Sequence, residues 1–321
     1  MSSIRPLSSS ARARLNAFFE APLPPQPLGF LRIAVAGFAL VQAALWYPDW
    51  QVFFGPDGWL QWEVSRALTL DWSLHLSRIH AALAPLGVSP EQTVTGFFYF
   101  YVAAAIGLLV GWHTRIFAFC AWAAHFAMMT TIPTFMYGVD IFLHIGLFYL
   151  LVMPVAKAYS VDVLQGRVSP DPTWGVTLSL RVLQIHVCLV YLSSGYEKAR
   201  SVDWWSGNAL WRSLVQPDFR QFDFTWLAEW SWLVVALSWF TIVVEAGYCV
   251  GMWIPRLRIF WLAAIVALHL GIGICLGLPL FGLIMILLSL AAFGHLALED
   301  ARAWRRSPLP AGRLVEAADA T

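Results

Sequence analysis

The sequence predicts an all-α fold: a polytopic membrane bundle of about eight transmembrane helices, with amphipathic interfacial helices after the first span. Three observations predict it. Of the 321 residues, 59% are hydrophobic and only 12% are charged, against about 25% charged in a soluble domain. The mean hydropathy is +0.66, and 18 tryptophans accompany it. The apolar runs are long and lack strand-like alternation, so helices rather than a barrel are expected to cross the bilayer. The formal net charge of +1 argues against a nucleic-acid partner.

Residues 1–27 are polar, carry Arg5, Arg12 and Arg14, and end in APLPPQP. They are expected to be a cytoplasmic tail. The run that follows is long enough to span, which argues against a signal peptide. Spans are expected near 28–47, 93–111, 115–132, 138–154, 177–197, 231–253, 258–277 and 279–297. The stretch between Trp50 and Glu91 carries the turn signal FFGPDGW and then Arg66, His75, Arg78 and His80. It is expected to lie at the interface as short amphipathic helices. Gly277 and Pro279 mark a tight turn between the last two spans. The domain organisation is therefore a tail (1–27), a transmembrane domain (28–297) and a cytoplasmic C-terminal tail (298–321). No repeat of 20–50 residues is visible.

Eight spans put both termini on one side. That side collects 13 of the 20 positive residues, and the opposite loops hold six. The positive-inside bias makes the richer side cytoplasmic, which suits a multi-pass protein of the inner (plasma) membrane. One loop is an exception. Residues 193–220 carry Lys198, Arg200, Arg212 and Arg220 on the side expected to be poor in positive charge. That anomaly points to a site.

Ionisable groups inside spans are costly and tend to mark function. They are His125, Asp140, His144, His186, Glu245 and His269. Gln184, Tyr191 and Lys198 recur every seven residues, so they drift only about 20° per step and form one stripe, with Ser194 beside it. The stripe is either a polar seam ending in a snorkelling lysine or the wall of a site. Thr241, Glu245 and Tyr248 share a face of the next span. Glu245 must be protonated or paired, with Lys198, His186 or His269 as partner. A structural ion pair would meet that need equally. Trp204 and Trp205 open a tryptophan-rich loop, which is either an interfacial belt or an aromatic wall for a ligand. No HxxxH or HExxH occurs, so no metal is expected. Cys120, Cys188, Cys249 and Cys275 lie in separate apolar runs, without CxxC, and read as small buried hydrophobes. GxSxG, P-loop and GxGxxG motifs are missing.

Several runs in order resemble one family. They are LGFLRIAVAGFALVQAALW followed by FFGPDGW, then FYLLVMPVAKAYSVD, LVYLSSGYEKARSVDWWSGNAL, FTIVVEAGY and LHLGIGICLGLPLFGLIMI. In this order, over roughly 28–297, the chain resembles HTTM-domain membrane proteins, a bacterial family related to vitamin K-dependent gamma-carboxylase. The resemblance implies a catalytic base at Lys198, a matching histidine at His269 and a vitamin K-like hydroquinone as cofactor. It also has departures. Gly138-Val139-Asp140 stands where the carboxylases carry an Asn-His pair, and Ile272 stands where they carry Asn. Their large luminal part has no counterpart before Thr321. Carboxylation of protein glutamates is therefore not the expected reaction.

What remains is an expected membrane enzyme with lyase- or oxidoreductase-like chemistry. Lys198, Glu245 and His269 would be catalytic. Gln184, Tyr191, Ser194, Arg200, Trp204, Trp205, Asp140 and Tyr248 would bind a quinol-like or peptide substrate. The alternative is a non-enzymatic partner in maturation or export of a secreted peptide, with a small partner subunit and a basic loop that grips the peptide. A small-molecule transporter ranks last, because no inverted repeat is visible.

Overall fold

A computed structural model describes residues 9–306. The outer parts of both expected tails, 1–8 and 307–321, lie outside the described residues. The fold is all-α. Its helices are α1 (Ser9–Glu20), α2 (Gln26–Trp46), α3 (Trp50–Phe54), α4 (Trp62–Ala67), α5 (Leu76–Leu83), α6 (Pro90–Val110), α7 (Thr114–Thr131), α8 (Gly138–Val152), α9 (Val161–Leu164), α10 (Trp174–Arg200), α11 (Val202–Trp205), α12 (Asn208–Val215), α13 (Ser231–Gly251), α14 (Pro255–Cys275) and α15 (Pro279–Arg306).

Each expected span coincides with a long helix, but the count of eight is not matched by length and composition. Among the described residues, six segments are long and apolar enough to cross a membrane: Gln26–Phe54, Pro90–Val110, Trp174–Arg200, Thr225–Gly251, Pro255–Cys275 and Pro279–Arg306. The helix α7 carries Arg115, His125 and three threonines, which dilute its apolar character. The helix α8 has 15 residues, about 22 Å at 1.5 Å per residue, short of a hydrocarbon core of about 30 Å. Large apolar side chains such as Ile106, Phe148, Leu189, Val243 and Phe260 are exposed along the helices. A surface this apolar suits lipid rather than water. The chain is a multi-pass membrane protein.

Local chemistry sets the helix ends. Ser89 and Gln92 form a reciprocal capping box at the start of α6, Pro90 occupies its first turn, and Gly111 ends it at φ 72°. The expected tail is partly helical at each end: α1 occupies 9–20, and α15 continues past 297 to Arg306.

The chain divides into two compact units, Met1–Leu183 with Leu278–Ala291, and Gln184–Gly277 with Ala292–Thr321. In the first unit α2, α6, α7 and α8 pack on one another in sequence, and α2 also meets α8. Arg32 of α2 is fully buried there. Its guanidinium donates to the carbonyls of Leu108 at 2.7 Å, Tyr159 at 2.6 Å, Ala158 at 3.3 Å and also Leu109. This arginine ties the end of α6 to the segment after α8. Residues 50–91 hold the short helices α3, α4 and α5. His75 caps α5: its Nδ1 accepts the Ser77 backbone N–H at 3.0 Å, and its other nitrogen meets the Ser65 hydroxyl. Burial, and then the positive charges of Arg66 and Arg78, push the imidazole down to about 4.

In the second unit α13 meets α14 and the short helices α11 and α12. Gly247 and Gly251 on α13 leave room for the Trp261 ring of α14, whose indole N–H donates to the Val244 carbonyl at 2.9 Å. A small-xxx-small spacing brings membrane helices close in this manner. Arg258 pairs with Asp300 at 2.5 Å.

Candidate functional site

The residue stripe on α10 is real, and each of its rungs meets a different helix of the second unit. Gln184 donates to the Ala292 carbonyl of α15 at 2.8 Å. The Tyr191 hydroxyl lies 2.8 Å from Nε2 of His269 on α14. Lys198 Nζ lies 2.7 Å from Glu245 Oε2 on α13 and donates to Ser194 Oγ, also at 2.7 Å. Of the three partners proposed for Glu245, Lys198 is the one that holds it. His269 is engaged with Tyr191 instead.

The approach of α10 to α13 depends on Gly195. A Cβ at this position would stand 2.3 Å from the Ala246 backbone nitrogen, so only glycine permits the spacing. Ser194 and Glu245 flank that contact in sequence. The ion pair is mostly shielded: the lysine side chain is 19% exposed and the glutamate 7%. Above it the Trp204 ring faces the ammonium at 5.1 Å, a cation–π contact. That ring is placed by α11, which is tied to α13 by two hydrogen bonds: Ser238 to the Trp204 carbonyl, and Trp239 Nε1 to the Trp205 carbonyl at 2.9 Å. Below the pair, Tyr191 and Tyr248 approach with ring centroids 4.3 Å apart, and Tyr248 is fully buried.

The other predicted residues lie as follows. Arg200 is exposed, with its guanidinium over the Tyr196 ring rather than toward Lys198. Trp205 packs edge-on against Trp239 and donates to the Ala199 carbonyl. Asp140 belongs to the first unit, where Gln42 donates to it at 2.8 Å and the Tyr137 backbone N–H at 3.1 Å. The structure therefore joins Lys198, Glu245, Ser194 and Trp204 in one contact group and Tyr191, His269 and Tyr248 in another, with Gln184 lower on the same stripe. Two features were missed in the sequence. Arg32, near the start of the first expected span, is a buried clamp. His125 and His144, 19 residues apart, bring their Nδ1 atoms to 3.4 Å. Helix packing, not local spacing, makes that pair.

The model of the HTTM domain matches residues 66–295. This chain belongs to the HTTM-domain family. Lys198, Glu245, His269 and Trp204 all fall inside the matched region, whereas Arg32 and the rest of α2 precede it. No curated protein and no solved structure matches the chain. The coarse conclusion is a membrane protein of the HTTM family whose lysine sits in a shielded, hydrogen-bonded position.

Proposed function

We propose that this HTTM protein is an integral membrane enzyme in which the Lys198–Glu245 pair moves a proton to and from a membrane-soluble substrate of quinol or peptide type. The observation that carries this reading is the pair itself, joined at 2.7 Å, screened by Trp204 and backed by Ser194. A phenolic O–H suits such a site: an aromatic ring can lie against tryptophan and tyrosine faces. The lysine proton would pass to Glu245, the amine would take the phenol proton, and the ammonium would then stabilise the phenolate. The pair is neutral before it takes the phenol proton and carries one positive charge afterwards, which the phenolate balances. His269, held by Tyr191 one rung deeper on α10, would support the substrate end of the pocket as a positioning residue. The charge distribution along the sequence supports cytoplasmic termini in a bacterial inner membrane.

The experiment is a spectroscopic titration of a short-chain naphthohydroquinone with the purified protein. Wild-type protein is expected to yield the phenolate absorbance at a lower pH than detergent alone. Lys198→Ala and Glu245→Gln are expected to lose that shift. A Lys198→Ala protein that ionises the phenol as readily as wild type overturns the reading.

A second reading has one observation in its favour. Arg200 is exposed and meets no carboxylate among the described residues, so it is available to the acidic group of a secreted peptide. In a non-enzymatic peptide partner, Arg200→Glu would abolish peptide binding while Lys198→Ala would leave it intact. The enzyme reading expects the reverse order of sensitivity.

A further inference from the structure

A cavity of about 400 Å³ opens in the first unit where α7 begins and α8 ends. Its wall is apolar, made by Ile116, Leu150, Met153, Val155 and Val168, and its polar margin carries Arg115, Lys157 and Arg167. One acid, Asp162, lines it. We infer that this cavity is a binding site for an anionic phospholipid, whose phosphodiester lies against the three cations and whose first acyl carbons lie on the apolar wall.

The charge balance comes first. Asp162 is already fully engaged. It accepts the backbone N–H groups of His113 and Thr114 at 2.9 Å each and the Thr114 hydroxyl at 2.7 Å, and it pairs with Arg167 at 3.0 Å. Burial alone would raise its carboxyl, but the bonds from Thr114, Arg167 and His113 outweigh that and hold it below its ordinary value. So the acid stays anionic and neutralises one cation of three. The cations keep spare donors. Arg115 donates one N–H to the Leu151 carbonyl, and Lys157 donates to the Ser169 and Asp171 carbonyls at 2.9 and 3.2 Å. A guanidinium has five donors and an ammonium three. The carbonyl contacts thus position the cationic heads at the margin without exhausting them.

The location chooses among anions. The cavity lies where α7 begins and α8 ends, on the side that the charge bias assigns to the cytoplasm. Juxtamembrane cations there are drawn to anionic headgroups. A free phosphate would meet the cations but leave the apolar wall without an occupant, whereas a phospholipid covers both.

The test uses the full-length protein, stripped of lipid in detergent, with retained lipid read by native mass spectrometry and stability by thermal unfolding. Phosphatidylglycerol is expected to bind more tightly than phosphatidylcholine, to raise the melting temperature, and to do both less as salt rises. Arg115→Gln and Lys157→Gln should each weaken it about fivefold. Ala156→Phe, which fills the wall and removes no charge, should also lose phosphatidylglycerol. It carries the test if the charge variants fail to fold. Equal binding of the two lipids, or a stabilisation by inorganic phosphate as large as that by phosphatidylglycerol, overturns the inference. So does undiminished binding in Ala156→Phe.

Discussion

Gly195 and Ala246 meet backbone to backbone, with no space between them for even a methyl group. That single contact sets the distance between the helix bearing Lys198 and the helix bearing Glu245. Gly195→Ala should force the two helices apart and lower stability by about 1–3 kcal/mol, as overpacking does. Thermal unfolding of the purified variant checks the cost. A variant as stable as wild type would mean that the approach is not tight.

The Lys198–Glu245 pair should behave as a coupled unit. Lys198→Met or Glu245→Leu alone leaves a shielded charge without its partner, costing about 3 kcal/mol. The double variant should recover most of that loss, because two apolar side chains replace two charges. A double-mutant cycle on unfolding free energy measures the coupling. Strictly additive losses would argue against a direct ion pair.

Arg32 holds four carbonyls at the junction of α6 and the segment after α8. Arg32→Leu should leave those acceptors without a donor and destabilise the first unit by about 3 kcal/mol or more. Proteolytic nicking in 153–162, compared between wild type and variant, reads the local loosening.

His75 makes stability depend on pH. Its folded value of about 4 lies below the ordinary 6.5, so the folded state resists a proton that the unfolded state accepts. Its contribution is complete above pH 6.5 and is lost as pH falls toward 4, by up to about 3 kcal/mol. Protonation at Nδ1 would also remove the acceptor for the Ser77 N–H. Unfolding followed between those pH values should show the slope, and His75→Gln should flatten it.

The stripe of Gln184, Tyr191 and Lys198 was legible because a seven-residue period survives on any helix. Its partners were only partly so. Glu245 was visible as a mid-span carboxylate, but choosing Lys198 over His269 required knowing how α13 and α14 lie against α10. The positive residues of 193–220 looked like an excess of free charge. In the structure Lys198 is paired with Glu245, Arg212 with Asp203 at 3.1 Å and Arg220 with Asp223 at 3.1 Å. A count of lysines and arginines passes over the acids that neutralise them. The count of eight spans is not confirmed, because hydropathy speaks for a crossing at α8 and its 15-residue length does not. Arg32 was hidden because its partners are backbone carbonyls, which leave no trace in side-chain identity.

The three rungs of α10 also bear on biosynthesis. Ala292, His269 and Glu245 are all translated after the helix that needs them. A polar face enters the bilayer first, and its satisfying groups arrive 47, 78 and 108 residues later along the chain. The ammonium meets its carboxylate first, the phenol its imidazole next, and the amide its carbonyl last. The last helix to emerge therefore completes the set of cross-helix contacts along α10.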